Sequence, residues 1–350
     1  MGHNPLGEEL YNQPSIDSID QYQWRNEQSI IYTRIENFCQ TNKIKFSINP
    51  SDNLIENIVE EKIIFVGLFD LIPDYSHWEK VNLTCAKSGK MVFVITDNIL
   101  NFDNLEFVNF FSYPELLGVT ASYDTIATIT PPKKLYNCFI HRVDSVRQSW
   151  FYFLHYHNLL DKGYVSFLLK QLNSYSVLTG KDLFDYIHQH YKLNQLPHFE
   201  QAYQSLKNQV PYRNFFENYN LLPLIQDSKY SLVLETYANN DDKNQWCFTE
   251  KILRALQFPP FVLPFCQKGS ITILKSLGLE FNLDLIQLDH LNWIDRQQRL
   301  LNFLIDDPVE FNADMLYNIS LHNQQLLKSW KSKYQKPDFF DNVFNEVTEL

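Results

Sequence analysis

Glycine is scarce, with nine in 350 residues. The chain has no G-x-x-x-x-G-K-[ST], no G-x-G-x-x-G and no G-x-S-x-G. Those glycine-dependent turns cradle phosphates, admit a dinucleotide pyrophosphate or present a nucleophilic serine, so ATPase, dehydrogenase and serine-hydrolase readings have no foothold. Cysteine is equally sparing. Cys39, Cys85, Cys138, Cys247 and Cys266 are odd in number and never spaced C-x-x-C, which argues against a zinc knuckle or a disulfide framework and leaves reduced, cytoplasmic thiols as the expectation. Basic residues are outnumbered, 30 Lys and Arg against 41 Asp and Glu, for a formal charge of −11. The first Lys-rich cluster is the tail from Lys328 to Lys336. Duplex nucleic acid, which selects a basic face, is therefore not an expected partner. No apolar run is long enough to span a bilayer. The stretch Met1 to Leu6 has no apolar signal core, and Leu6 stands where myristoylation of Gly2 prefers Ser or Thr.

Apolar residues make up 45% of the chain and charged ones 20%, with 27 Phe and 20 Tyr. That composition builds a sizeable core rich in rigid rings, and the length suits two domains. Ile63 to Phe69, closed by Asp70, and Met91 to Thr96, closed by Asp97, read as buried strands, with a third expected over Leu105 to Phe110. Uninterrupted apolar runs of this kind fit a parallel sheet covered on both faces. Residues up to about 55 read as a polar, helical lead-in, and Pro114 to Leu117 as a short helix or turn. Thr128 to Lys134, with Pro131-Pro132, is the expected linker. The predicted division is 1–130, 134–325, and a tail or crossing helix at 326–350. Beyond the linker, Lys134 to Ile140 reads as a strand, followed by a helix through Trp150 and Leu154 that ends by Gly163, then a strand from Tyr164. Residues 170–225 are expected to be an irregular insertion plus helix. Leu291 to Ile305 is an amphipathic helix ended by Asp306-Asp307-Pro308, and 309–335 one more helix.

The stretch from Tyr230 to Glu280 organises the rest. Ser231 to Leu234 is an apolar strand that ends on Glu235. After the polar loop Asn239 to Asn244, Thr249 is placed as an N-cap and Glu250 in the first turn of a helix carrying Ile252, Leu253 and Leu256. Pro259-Pro260 stops that helix. Phe261 to Leu263 is the next strand, and Gly269-Ser270 opens a helix that Gly278 terminates. Strand, loop, helix, strand, loop, helix is the rhythm of a parallel sheet with crossover helices. Such sheets bind ligands outside the carboxyl ends of their strands.

The strand ending in Glu235, the polar loop, Cys247-Phe248-Thr249-Glu250-Lys251 at a helix start and the following buried strand resemble the donor-binding half of the α-1,3-fucosyltransferase family and its bacterial and viral relatives. The resemblance covers roughly Lys134 to Glu280. The chain departs from the family's Tyr-Thr-Glu-Lys before the threonine, and Phe258-Pro259-Pro260 stands where the family has a small residue or glycine. The resemblance implies an α/β, GT-B-like architecture, two Rossmann-like domains facing across a cleft. It implies a glycosyltransferase that binds a nucleotide sugar, GDP-fucose-like or another GDP- or UDP-sugar, on its second domain and works by inversion without an obligatory metal or other cofactor. The absence of D-x-D anywhere in the chain agrees with that last point. Donor-binding positions carried over are Asn137, Arg147 with Arg142 as its alternate, and Thr249, Glu250 and Lys251. Fixed cations neutralise a departing diphosphate. Glu235 is a second hydroxyl acceptor beside Glu250, and Tyr237 and Phe248 are candidates to flank base or sugar, although packing is the commoner use of any one ring.

An acceptor hydroxyl needs a base, and Asp70 and Asp97, ending first-domain strands, are the candidates. Strand-end aspartates are also ordinary turn chemistry. His155/His157 and His188/His190 are spaced i, i+2, which faces them apart on a helix, so a metal site is not expected there. The acceptor is a carbohydrate, a protein side chain or another hydroxyl compound, and a modified nucleobase is a further alternative. A non-catalytic interaction protein that retains the fold is the reading from another class.

Overall fold

The computed structural model describes residues 33, 35–48, 55, 63–68, 75–96, 98–100, 102, 104–112, 129–140, 144–167, 181–191, 222–235, 237–241 and 245–334. In chain order, strands β1 (Lys45–Ile48) and β2 (Ile63–Leu68) precede helix α1 (Tyr75–Ser88), β3 (Met91–Thr96), the short β4 (Ile99–Leu100) and β5 (Val108–Ser112). Next come β6 (Lys134–Ile140), α2 (Ser145–Tyr156), β7 (Gly163–Phe167), α3 (Lys181–Tyr191), α4 (Leu222–Gln226) and β8 (Ser228–Leu234). The short β9 (Gln245–Trp246), α5 (Glu250–Leu256), β10 (Phe261–Phe265), α6 (Ser270–Ser276), α7 (Trp293–Asp306) and α8 (Ala313–Tyr334) follow. These elements form two compact units. The N-sheet unit draws on 22–122, 242–253 and 324–350, and the C-sheet unit on 123–241 and 254–323.

The N-sheet unit has a parallel sheet of order β1-β2-β3-β5, and β4 pairs antiparallel with β9. One face of α1 supplies Trp78, Val81 and Cys85, three and four residues apart, against Val92, Val94 and Val108. Residues 35–41 are helical, as expected of the lead-in, and β1 adds a strand after them. Lys-Phe-Ser-Ile alternates with period two, a strand signature within a segment whose loose helical spacing lies further upstream. β5 begins later than Leu105 because the amide of Phe107 donates to Asn82 Oδ1 at 2.8 Å instead of joining the ladder. The turn expected at Pro114 to Leu117 lies outside the described residues.

The C-sheet unit holds a second parallel sheet of order β10-β8-β6-β7. From β6 the chain steps to β7 on one side and later returns to β8 on the other. The order therefore reverses between β6 and β8, and the crevice of a parallel sheet opens at the carboxyl ends of such a pair. Trp150, Phe151, Phe153 and Leu154 of α2 and Leu300, Leu301 and Leu304 of α7 share one core with Tyr136, Tyr230, Phe261 and Leu263 of the strands. Tyr191 of α3 bonds both Ser149 of α2 and Gln297 of α7.

Gly163 opens β7 rather than ending α2, which stops at Tyr156 before a 3-10 turn over Leu160–Lys162. It pairs with Tyr136, and a Cβ there would lie 2.6 Å from the Tyr136 ring, so only glycine fits. α5 ends at Leu256, just before Pro259-Pro260, and Gly278 takes φ 92 beyond α6. The buried side chain of Asn323, on α8, clasps this region. Its amide nitrogen donates to the carbonyls of Leu256 and Glu280, and its oxygen accepts from the Glu280 amide.

Candidate active site

Two buried side chains stand near the carboxyl end of β8. Arg147 lies in the first turn of α2, which Asp144 caps from an extended backbone, its Oδ1 accepting from the Arg147 amide at 2.9 Å. The Arg147 guanidinium is 4% exposed. It donates from Nη1 to Asp144 Oδ2 at 2.8 Å and from Nη2 to the carbonyl of Leu234, the last residue of β8, at 3.2 Å. Glu235 follows Leu234 directly. It is 3% exposed, and its amide donates to the Phe265 carbonyl at the end of β10. A cation in the first turn of α2 and a carboxylate just past β8 thus stand at the topological switch point, both withdrawn from water, where their charges act most strongly.

Helix ends at this edge carry carboxylates of their own. Asp289 accepts from the amides of Ile271 and Thr272 and from the Thr272 hydroxyl, closing the start of α6. Asp144 does the same for α2 while holding Arg147. The seats that a ligand anion would take at these ends are filled from within, and Asp144 is the more exposed of the two.

The loop after β8 has a second anchor. Arg296 on α7, 1% exposed, donates to the carbonyls of Ala238 and Leu291 and to Asp241 Oδ1 at 2.8 Å. Asp241 Oδ2 also accepts from the Trp293 amide at the start of α7. Sequence reading passed over Arg296, although it sits on the apolar stripe of its helix, three residues from Trp293 and four from Leu300. A charge in that position is the available signal of a buried anchor. Tyr237, between the two anchors, adopts φ 61 and remains 38% exposed.

Asn137 sits in mid-strand, where its amide donates to Tyr230 O and Ser231 Oγ of β8. Phe248 is fully buried. In the N-sheet unit, Thr249 caps α5 as the sequence indicates: its hydroxyl oxygen accepts from the Lys251 amide, and the Lys251 ammonium folds back on the same oxygen at 3.2 Å. Glu250 opens α5. Asp70, Asp97 and Arg142 lie outside the described residues.

Cys138 on β6 and Cys266 after β10 are buried, and burial pushes both thiols up to about 12. The positive charge of Arg147 pulls Cys138 the other way without overcoming burial. Both stay protonated and pack as apolar groups. His155 lies in α2 and His157 caps its end, while His188 and His190 belong to α3. Among the described residues no three His, Cys, Asp or Glu side chains gather as a metal-ligand set, and no helix is long and apolar enough to cross a membrane.

Compared with family models, curated proteins and solved structures, the chain matches none of them.

Proposed function

We propose that the protein transfers a sugar from a nucleotide-sugar donor, a GDP- or UDP-sugar, to a hydroxyl acceptor, and that the donor is held at the crevice between β6 and β8. The reading rests on the resemblance of Lys134 to Glu280 to the fucosyltransferase-like family and on one feature of geometry. Buried Arg147 and buried Glu235 follow adjacent parallel strands where their order reverses, tied by the bond from Arg147 to Leu234. As the sugar–oxygen bond breaks, negative charge grows on the departing diphosphate, and a fixed guanidinium in a dry site stabilises it. Glu235 accepts hydrogen bonds from sugar or ribose hydroxyls. Inversion and independence from metal come from the resemblance, as do the roles of Thr249, Glu250 and Lys251. A donor phosphate and Asp144 would compete for the same guanidinium, so binding exchanges one carboxylate partner for a phosphate.

Thermal stability of the purified protein against GDP, UDP, CMP and their sugar conjugates, with and without EDTA, tests this. A ligand at about a hundred times its Kd adds ~2.7 kcal/mol, which raises Tm by several degrees. The expected result is a shift with one nucleotide class that survives EDTA and disappears in Arg147→Met. A shift that persists in Arg147→Met moves the site away from the crevice. A flat response across the panel overturns the reading in favour of a non-catalytic role.

A further inference from the structure

We propose that the loop following β8 is a preorganised platform on which the Tyr237 ring stacks against the base of a nucleotide, and that Arg296 is the positioning residue that holds it. The proposal rests on the nucleotide-sugar reading of the same crevice and adds where the base lies and what fixes its seat.

Tyr237 is the starting point. At φ 61 its backbone is left-handed, a conformation that a Cβ resists and that glycine or asparagine adopts more readily. A bulky residue there is an outlier. More than a third of the residue is open to solvent. Strain of this kind persists where the surroundings over-determine it, and it clusters at ligand sites.

The surroundings here are specific. At the start of the loop, Arg147 binds the Leu234 carbonyl, and the Glu235 amide donates to Phe265 O. Beyond Tyr237, Asn240 N donates to the Tyr237 carbonyl at 2.8 Å, closing a tight turn. Arg296 then takes the Ala238 carbonyl and Asp241 together, and Asp241 is fixed from its other oxygen by Trp293 N. A guanidinium almost wholly removed from water is costly unless its bonds are well made. Two of its three acceptors belong to this loop. The investment is in the shape of one turn, and that turn carries an exposed ring two residues past a buried carboxylate suited to hydroxyls.

A ring on a fixed backbone turn, two residues from a hydroxyl acceptor and three from the carbonyl that the buried guanidinium of Arg147 binds, fits a nucleotide, with the ribose on Glu235, the phosphates toward Arg147 and the base against Tyr237. Stacking on one aromatic face is tolerant of base identity, since every base presents a π-face. The platform therefore supplies affinity for bases in general.

Calorimetric titration with GMP, UMP and ribose 5-phosphate separates base from sugar-phosphate. The wild-type protein is expected to bind both nucleotides at least about tenfold more tightly than ribose 5-phosphate. Tyr237→Gly should erase that advantage, leave ribose 5-phosphate affinity unchanged and raise Tm by about 2 °C as the strain is relieved. Tyr237→Phe, which keeps the ring, should retain the advantage. Arg296→Met should lose it with Tyr237 intact, and Asp241→Asn provides the same test with a milder change. A base advantage that survives Tyr237→Gly, or a Tm that falls in that variant, overturns the platform. Failure of the wild-type protein to bind any of the three probes instead overturns the nucleotide-sugar reading on which the platform rests.

Discussion

The two parallel sheets have four strands each and differ in the order in which the chain lays them down. β1-β2-β3-β5 advances in one direction, whereas β10-β8-β6-β7 turns back on itself at β6. In the first sheet each crossover steps the same way, and the loops at the strand ends lie side by side. In the second, the connections leaving β6 and β8 part company, and a crevice is the geometric result. The distribution of charge follows the same division. Among the described residues the buried charged side chains are Arg147, Glu235, Asp289 and Arg296, and all four belong to the C-sheet unit. The N-sheet unit buries polar groups such as Thr96 and Asn98, which bond each other at 3.0 Å without carrying charge. Buried charge costs stability in any fold. Its concentration around one switch point is what a site requires and a core does not.

A pair of tryptophans offers the hardest test of that contrast. Trp150 in the C-sheet unit and Trp78 in the N-sheet unit are both buried, and neither indole N–H has a hydrogen-bond partner among the described residues. Replacement of either by Ala is expected to cost about 3–5 kcal/mol in urea denaturation. Replacement by Phe should cost much less, because the donor it removes is unsatisfied. The two sites should diverge once nucleotide is present. Trp150 packs edge-on against Phe265 at 5.3 Å, at the end of β10, so its Ala variant should weaken the nucleotide-induced Tm shift, while Trp78→Ala leaves the shift whole. An equal loss of the shift at both positions would break the contrast between the units.

Gly163→Ala is the next largest effect. The added methyl meets the buried ring of Tyr136, and overpacking of that kind costs about 1–3 kcal/mol, again measurable by urea titration. The smallest is a pH effect. His157, at the end of α2, has its pKa lowered by burial. The unfolded chain therefore binds a proton more readily than the folded one. Stability from this source is complete above the ordinary histidine value of about 6.5 and declines as pH falls below it. His157→Gln should flatten that part of a stability–pH profile; an unchanged slope would assign it to other groups.

Much of the sheet architecture was legible because a strand buried on both faces is a largely apolar run. Met91 to Thr96 and Lys134 to Ile140 have the bounds in the structure that the sequence gives them. β1 was not legible as a strand, since four alternating residues beside a longer helical rhythm are a weak signal. The site was readable only in part. Glu235 stands at the end of an apolar run and Arg147 in the first turn of a helix, and the bond from Arg147 to Leu234 depends on strand order, which no local pattern encodes. Asp289 and Arg296 act through partners distant in sequence, Asp289 upon α6 and Arg296 upon the loop after β8. Their roles emerge only when those segments are brought together. Asn137 shows the converse. Its place in the strand was evident, but its amide is spent on a neighbouring strand.

The clasp at Asn323 has a consequence for the order of events in folding. Its amide completes bonds for Leu256 and Glu280, and it lies on the last of the described helices, well after β10 has been made. During synthesis the C-sheet unit therefore has all four of its strands before it has the side chain that joins the end of α5 to the segment after α6. Until α8 emerges, the carbonyl of Leu256 at the end of α5 lacks this partner. A growing chain would pass through a stage with the sheet assembled and its seam still open, the stage at which a chaperone or an opportune second chain has most to bind.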